Sequence, residues 1–474
     1  MEDDVLKRFV FMIFITLFLA NVYGELYEIS IPRYDQKSKY LVSFLDIISA
    51  APSEGTGLKY VVDSSPGEIA LLYGNCVIKE MNRSITIFPE YSDLTGINKR
   101  IDRVVERSGG KAEVFDIGLS IEGRNIRAVR ISKNEKTDED LPEVLFVGLH
   151  HAREWISSEV TMGILEFLVE NMDSNPFVSD ILQNSVIWVV PMLNPDGYLF
   201  SWEEARMWRY NRRVHPDDSI GVDLNRNYDS SWIKIDYVHG EGPFSEPETQ
   251  AVKNLIMNDF ETPFTAGVKS LDGLITYHSY GQIIMYPPGS TEEPAEKNEY
   301  YKELAEKMAY FTFSECKSVY IVMQNSSLYF TFGEMTEWFM KTHNGKPSFT
   351  FELRPHMDSN YFFMLPEDQI RDTVKENITP ALYFVRHLIT GETDLNMDMD
   401  RNGVNDVIEN TFFDYKCDRS DLETPDEIND SESSDQSFDI PDLDNLDTTD
   451  TDGTDLEKND SVPENDKGCN LTAI

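Results

Sequence analysis

From about residue 88 to residue 391 the chain alternates short, unbroken apolar runs with longer segments of helical apolar spacing. Four runs stand out: Val144-Leu145-Phe146-Val147, Ile187-Trp188-Val189-Val190, Leu274-Ile275-Thr276-Tyr277 and Ser348 to Phe351. Runs of this length without polar interruption read as strands buried on both faces. The pattern therefore predicts an α/β fold, a mixed, mostly parallel twisted sheet with helices on both faces. Each run ends at a polar residue or turn: His150-His151, Asn194-Pro195-Asp196-Gly197, His278 and Glu352. In open sheets of this class ligands collect at the carboxyl ends of strands, so these ends are candidate site positions.

The pattern changes on either side. Phe9 to Ala20 is a single apolar run preceded by Lys7 and Arg8, with Val22 and Gly24 suiting a cleavage point, so residues 1–24 read as a secretory signal peptide. An uncleaved anchor is the other reading, but the run is short for a span. Residues 25–86 read as a small α/β piece, with strand-like alternation at Tyr27 to Ile31 and helical spacing from Tyr40 to Ile48. Residues 87–391 form the main domain. Residues 392–420 hold a short acidic motif, and residues 421–474 are rich in Asp, Glu, Ser, Thr and Asn. So few apolar residues cannot offset the entropy of ordering, and that tail is expected to be disordered.

Charge sharpens this division. Of the net −42 carried by 474 residues, residues 391–474 supply −21, from 26 Asp/Glu against 5 Lys/Arg. Such acidity disfavours nucleic acid and anionic membrane surfaces as partners. Six Asn-x-Ser/Thr triplets, at Asn82, Asn325, Asn377, Asn429, Asn459 and Asn470, suit an exported, glycosylated chain. Cys76, Cys316, Cys417 and Cys469 are too few and too scattered for a disulfide scaffold. A Cys417–Cys469 link and free thiols both remain open.

The polar strand ends carry a coherent chemistry. His151 and Glu154 sit three apart, which in a turn or helix start brings both to one side. With His278 they would make a His2Glu set that leaves one zinc position open, as catalytic zinc sites do. Glu352 is the candidate general base for a water activated there, or else the partner of Arg354 in a salt bridge. Arg209 could stabilise an oxyanion. Arg226, between Asn225 and Asn227, offers a guanidinium fork to a terminal carboxylate.

These segments, with Gly148 to Ile156, Trp208-Arg209, Gly221 to Asn227, Ile275 to Tyr280, Tyr286-Pro287, Phe349 to Arg354 and Glu122-Gly123-Arg124, resemble the carboxypeptidase A/B family of zinc metallocarboxypeptidases over roughly residues 88–391. The resemblance implies zinc held by His151, Glu154 and His278, with Glu352 as general base and Arg209 polarising the scissile carbonyl. It implies that Asn225 and Arg226 grip the substrate's terminal carboxylate, with Arg153 and Tyr280 also on substrate. It further implies that residues 25–86 are an inhibitory pro-segment, removed by an activating protease near Lys79 or Arg83. By the same resemblance, Met340 stands where the family carries a mobile tyrosine after an acidic-Trp pair, here Glu337-Trp338. The loop that follows would line the side-chain pocket. No Asp stands clearly there; Lys346 either favours an acidic C-terminal residue or points to solvent.

Asp398-x-Asp400-x-Asn402-Gly403-x-x-Asp406 fits a calcium loop, resembling thrombospondin type 3 repeats as well as an EF-hand, or else is an accident of an acidic region. Two functions are carried forward. The first is a secreted, extracellular zinc carboxypeptidase acting on protein or peptide C-termini. The second is a catalytically weak relative that binds peptides, or binds partners through calcium.

Overall fold

The computed structural model describes residues 25–31, 47–52, 58–64 and 77–81 as strands, and then residues 91–134, 141–258 and 270–393. The first group is a four-stranded antiparallel sheet of β1 (Glu25–Ile31), β2 (Ile47–Pro52), β3 (Leu58–Ser64) and β4 (Val77–Met81), in the order β2-β3-β1-β4. The strand expected over Tyr27 to Ile31 is β1. The helix expected to Ile48 is not formed at its end: Ile47 and Ile48 belong to β2, which pairs with β3. The rest of that helix, the signal segment, the calcium loop and the acidic tail lie outside the described residues.

The main body is built on eight strands: β5 (Ala112–Leu119), β6 (Asn125–Ile131), β7 (Glu143–Gly148), β8 (Val186–Val190), β9 (Leu271–Gly281), β10 (Ile283–Tyr286), β11 (Ile321–Gln324) and β12 (Ser348–His356). Their order is β11-β10-β12-β9-β7-β8-β6-β5. The four central strands, β12, β9, β7 and β8, are all parallel to one another, and antiparallel pairings occur only outside them. The mixed, mostly parallel sheet expected from the sequence is therefore present.

Among the described residues nine helices accompany the sheet: α1 (Leu94–Arg107), α2 (Trp155–Asn171), α3 (Pro176–Asn184), α4 (Pro195–Glu203), α5 (Pro247–Met257), α6 (Asn298–Cys316), α7 (Asn325–Leu328), α8 (Met335–Thr342) and α9 (Ile370–Thr390). The apolar runs make sense once both faces are covered. Successive side chains of a strand point to opposite faces. Val144, Phe146, Ile187, Val189, Ile275 and Tyr277 pack with residues of α1, α2, α3, α6 and α9. Leu145, Val147, Trp188, Val190 and Leu274 pack on the other face with residues of α5 and α8.

Three local outcomes differ from the expectation. Asn194 to Gly197 is a helix start: Asn194 Oδ1 accepts from Gly197 N at 3.0 Å, and Pro195 occupies the first turn of α4. Strand β9 runs three residues past His278, because its partner β12 continues alongside it to His356. Asn325 and Asn377 are unsuited to carry glycans in the folded chain. Both are buried, and their side-chain amides are committed to Glu334 and to Thr373 O. Cys316 is disulfide-bonded, and the other three cysteines lie outside the described residues.

Candidate metal centre and active site

The site forms where β7, β9 and β12 lie side by side. Register places Glu352 directly beside His278 on the neighbouring strand, and Gly148 beside Tyr277. Chain leaving β7 therefore arrives next to His278. It turns through Leu149, whose φ of 59° is in the left-handed region that a leucine enters only at a cost of roughly 1–2 kcal/mol. Gly148 makes the tight turn fit, since a Cβ there would meet Ser157 O at 2.8 Å and Pro191 O at 3.0 Å. The turn delivers His151, and α2 begins just after Glu154. Glu154 occupies the helix-capping position but makes no side-chain cap. Its carboxylate instead meets His151 Nδ1 at 2.8 Å, His278 Nδ1 at 3.0 Å and Ser279 N at 3.2 Å.

His151, Glu154 and His278 are buried, and their ligating atoms all lie within 4.8 Å of one another. The donor set fits a metal for a specific reason. His151 sits between two carboxylates, with Nε2 3.1 Å from Asp223 Oδ1 and Nδ1 2.8 Å from Glu154 Oε1; with a cation held at Nδ1, Nε2 would carry the proton and donate to Asp223. His278 Nε2 lies 3.2 Å from Thr276 Oγ1, which also meets His150 Nδ1 at 3.2 Å, a chain that continues from His150 Nε2 to Tyr228 Oη at 2.9 Å. With the Thr276 hydroxyl accepting from Nε2, His278 Nδ1 would likewise turn a lone pair towards a cation. Two such nitrogens 3.1 Å apart, flanked by a carboxylate, repel one another unless a cation lies between them. A tetrahedral zinc with Zn–N bonds of ~2.0–2.1 Å sets ligand atoms ~3.3 Å apart, close to what is seen.

The surrounding charges keep these groups in ligating form. Burial opposes ionisation of Glu154, but His151 and His278 outweigh it and hold its carboxyl well below the ordinary range. Burial lowers His278, with Glu154 opposing. Burial likewise opposes ionisation of Asp223, and Arg209, His151 and Arg226 overcome it. Arg209 is fixed by that carboxylate, with Nε 3.0 Å and Nη2 2.9 Å from Asp223 Oδ2, and it holds Nη1 3.8 Å from Glu154 Oε1.

One cleft joins these groups to Asn225, Arg226, Tyr280, Tyr329 and Glu352. Asn225 is pinned through Oδ1, which accepts from Met335 N at 3.0 Å, and its own N–H bonds Asp223 Oδ1 at 2.9 Å. Glu352 has its carboxyl raised well above the ordinary range, first by burial and next by Glu154, with Arg209, Arg226 and Arg153 opposing.

Residues 97–380, more than half of the chain, match the zinc carboxypeptidase family, peptidase M14. The chain belongs to that family. It is 32% identical to carboxypeptidase O of Bos taurus over 276 residues, covering 56% of this chain and 70% of the relative. It is 30% identical to human carboxypeptidase B over 282 residues, covering 58% and 64%. Among solved structures, carboxypeptidase A of Helicoverpa armigera overlays with a TM-score of 0.64 at 22% identity, over 78% of this chain and 98% of that one. Thrombin activatable fibrinolysis inhibitor gives 0.63 at 24%, over 78% and 99%. The protein is thus a metallocarboxypeptidase of a zinc-dependent family.

Within this carboxypeptidase, several sequence candidates take unexpected places. Arg153 is fully buried, with its guanidinium carbon 4.2 Å from the Phe363 ring centroid and Nη1 3.4 Å from Met207 O, and it does not line the cleft. Arg354 does not pair with Glu352; its Nε and Nη2 meet Glu376 of α9 at 2.7–3.1 Å. Met340 packs from α8 against the large core and is absent from the cleft wall. The phenol that lines the cleft is Tyr329, whose ring centre is 5.9 Å from Arg226 Cζ and whose pKa burial raises. Lys346 lies at the opposite end of β9 from His278, with Nζ 2.9 Å from Asp272 Oδ1. Asp223, Thr276 and Tyr329 were not singled out by the sequence. The Gly221 to Asn227 stretch contained Asp223, but nothing in the one-dimensional pattern tied it to His151.

Proposed function

We propose that this protein is a secreted exopeptidase that removes single residues from the C-termini of peptides or proteins, with Glu352 as its general base. The observation that carries this is the convergence, in one cleft, of a His151–Glu154–His278 donor set, a half-buried carboxyl at Glu352 and the Arg209, Asn225 and Arg226 donors. When bound, zinc would polarise the scissile carbonyl and acidify water at the site.

The chain's own residues then divide the work. Arg226 and Asn225 receive the substrate's terminal carboxylate, which restricts cleavage to the last bond. Arg209, locked in place by Asp223, presents positive charge to the oxygen that becomes negative as the carbonyl turns tetrahedral. The Glu352 carboxylate takes a proton from the attacking water and gives it to the departing amine. Its raised pKa suits both halves of that task. Tyr329, half-buried with its ring 5.9 Å from Arg226 Cζ, forms one wall of the cleft. The reading of a catalytically weak binding module is motivated by Met340 and by the acidic appendage; the first motive weakens with Met340 packed half-buried against the core and Tyr329 lining the cleft, and the appendage lies outside the described residues.

Export is supported by the N-terminal apolar run and by a disulfide at Cys316, since such bonds persist in oxidising compartments. Residues 25–86 serve in this reading as a pro-segment; N-terminal sequencing of secreted protein that found only a start at residue 25 would count against it.

The test of the activity is a peptide library incubated with zinc-loaded protein after release of residues 25–86, with products read by mass. Loss of one C-terminal residue is expected, abolished by a chelator and reduced by roughly 10²–10⁴-fold in Glu352→Gln at unchanged zinc content. No shortened peptide under any condition would sink the assignment.

A further inference from the structure

We propose that the cleft selects a basic C-terminal side chain, lysine or arginine, and that Glu334 and Asn325 are the residues that recognise it; this rests on reading the cleft as a carboxypeptidase site. Glu334 immediately precedes α8 and is tied to the carboxylate-gripping pair, because the next residue donates its N–H to Asn225 Oδ1 at 3.0 Å. Its side chain lines the same cleft as Arg226 and Tyr329 yet is only 3% exposed. Oε1 accepts from Asn325 Nδ2 at 2.6 Å, and Oε2 accepts from Thr331 Oγ1 at 2.9 Å. Oε1 also accepts a longer bond from Thr336 Oγ1 at 3.4 Å; all three donors are neutral, and among the described residues no cation pairs with this carboxylate. An ionised carboxyl can accept about four hydrogen bonds, so acceptor capacity is left over.

Asn325 makes the same point independently. Its amide orientation is fixed, since only the NH2 end can face a carboxylate. The other end, Oδ1, is buried without a hydrogen-bond partner, on a residue that is 4% exposed and lines the cleft. Buried acceptors left unmatched are costly and uncommon. A carboxylate and an orphan amide oxygen in one pocket call for a group with several donors and a positive charge, which describes an ammonium or guanidinium. The walls suit its stem: Ile283, Met285 and Leu328 also line the cleft and would pack along methylenes. Gly289 lets Thr331 and Glu334 take up this position, because a Cβ there would lie 1.8 Å from Thr331 Oγ1 and 2.8 Å from Glu334 Oε1.

Electrostatics at Glu334 favour a cation beside it. Burial first, and then Glu337, push the Glu334 carboxyl up to about 7, while the Asn325 and Thr331 bonds and Arg226 pull it down. Glu337 itself is held by Lys341 and Ser290, so it supplies no compensating charge. An acidic side chain would face a carboxylate, and a purely apolar one would leave both acceptors dry. Lys346, the sequence's candidate for acidic preference, is remote from this pocket.

The test uses zinc-loaded protein and matched peptides differing only in a final Lys, Arg, Leu, Phe or Glu. Expected is a kcat/KM for Lys or Arg endings at least ~30-fold above the others. Glu334→Gln should shrink that ratio by ~30-fold or more, mainly through KM, and Glu334→Asp should restore part of it. Equal or better turnover of Leu, Phe or Glu endings overturns the proposal. So does a Glu334→Gln protein that unfolds at the wild-type temperature and keeps the basic preference. If no peptide is hydrolysed, the proposed activity fails on its own. Calorimetric binding of the same peptides then decides: tighter binding of basic endings supports the pocket assignment, and equal affinities overturn it.

Discussion

At the scale of single residues, the site works through pairs that fix one another. Asp223 is the clearest case, because one carboxylate meets His151 Nε2 and anchors Arg209. Removing its charge should loosen both. Asp223→Asn is expected to bind zinc about 10–100-fold more weakly, measured by competition with a chromogenic chelator. Tyr329 and Met340 give a second contrast. Losing one neutral hydrogen bond costs about 0.5–1.5 kcal/mol, so Tyr329→Phe should lower kcat/KM by up to about tenfold. Met340→Leu conserves volume in the core and should leave kcat/KM within about twofold. The opposite ranking would return Met340 to the substrate and remove Tyr329 from it.

At the scale of elements, buried carboxylates decide how strands and helices are locked together. Glu376 of α9 receives Arg354 from β12 together with Ser318 and Tyr320, and so anchors the strand that carries Glu352. Glu248 in the first turn of α5 plays a similar part: it accepts from Ile121 N at 2.9 Å and Asn211 Nδ2 at 3.1 Å. Burial lifts its carboxyl to about 7, against those bonds. The folded chain therefore holds this proton more tightly than the unfolded one does. Stability is lost as pH rises from the ordinary Glu value towards 7, and the loss levels off above it. Glu248→Gln cannot ionise, so its stability relative to wild type should improve across that window by about 2–3 kcal/mol. Denaturant unfolding at pH 4.5, 6 and 8 checks this, and parallel curves for the two proteins would contradict it.

At the scale of the molecule, the net charge of −42 makes the chain as a whole attract cations. A cationic peptide is drawn in by such a field and a neutral one is not, and added salt screens the attraction. For a Lys-ended peptide kcat/KM should fall several-fold between about 0.02 and 0.5 M salt, and for a Leu-ended peptide it should change little. Deleting residues 394–474, which carry about half of the negative charge, should flatten that dependence. Equal salt slopes for the two peptides, or a slope unaffected by the deletion, would contradict it.

Much of this was legible along the chain. Apolar runs buried on both faces announced the sheet, because a strand covered on both sides has no polar period to interrupt it. The same runs ended at His151, His278 and Glu352, and the short His151–Glu154 spacing needed only a turn to become a pair. What the chain could not state was adjacency. Glu352 meets His278 because β12 and β9 are neighbours in register, and Asp223 meets His151 across 72 positions of sequence. Met340 and Tyr329 lie on either side of Glu337-Trp338 in sequence, and only packing put one in the core and the other in the cleft. Glu334 looked like one acidic residue among many until burial, Asn325 and Gly289 gave it a pocket. Periodicity records which face of an element is buried, and so the sequence by itself determined the layers and the reactive groups. Which groups meet depends on strand order and register, contacts between distant segments that leave no local trace, and those only the tertiary structure decided.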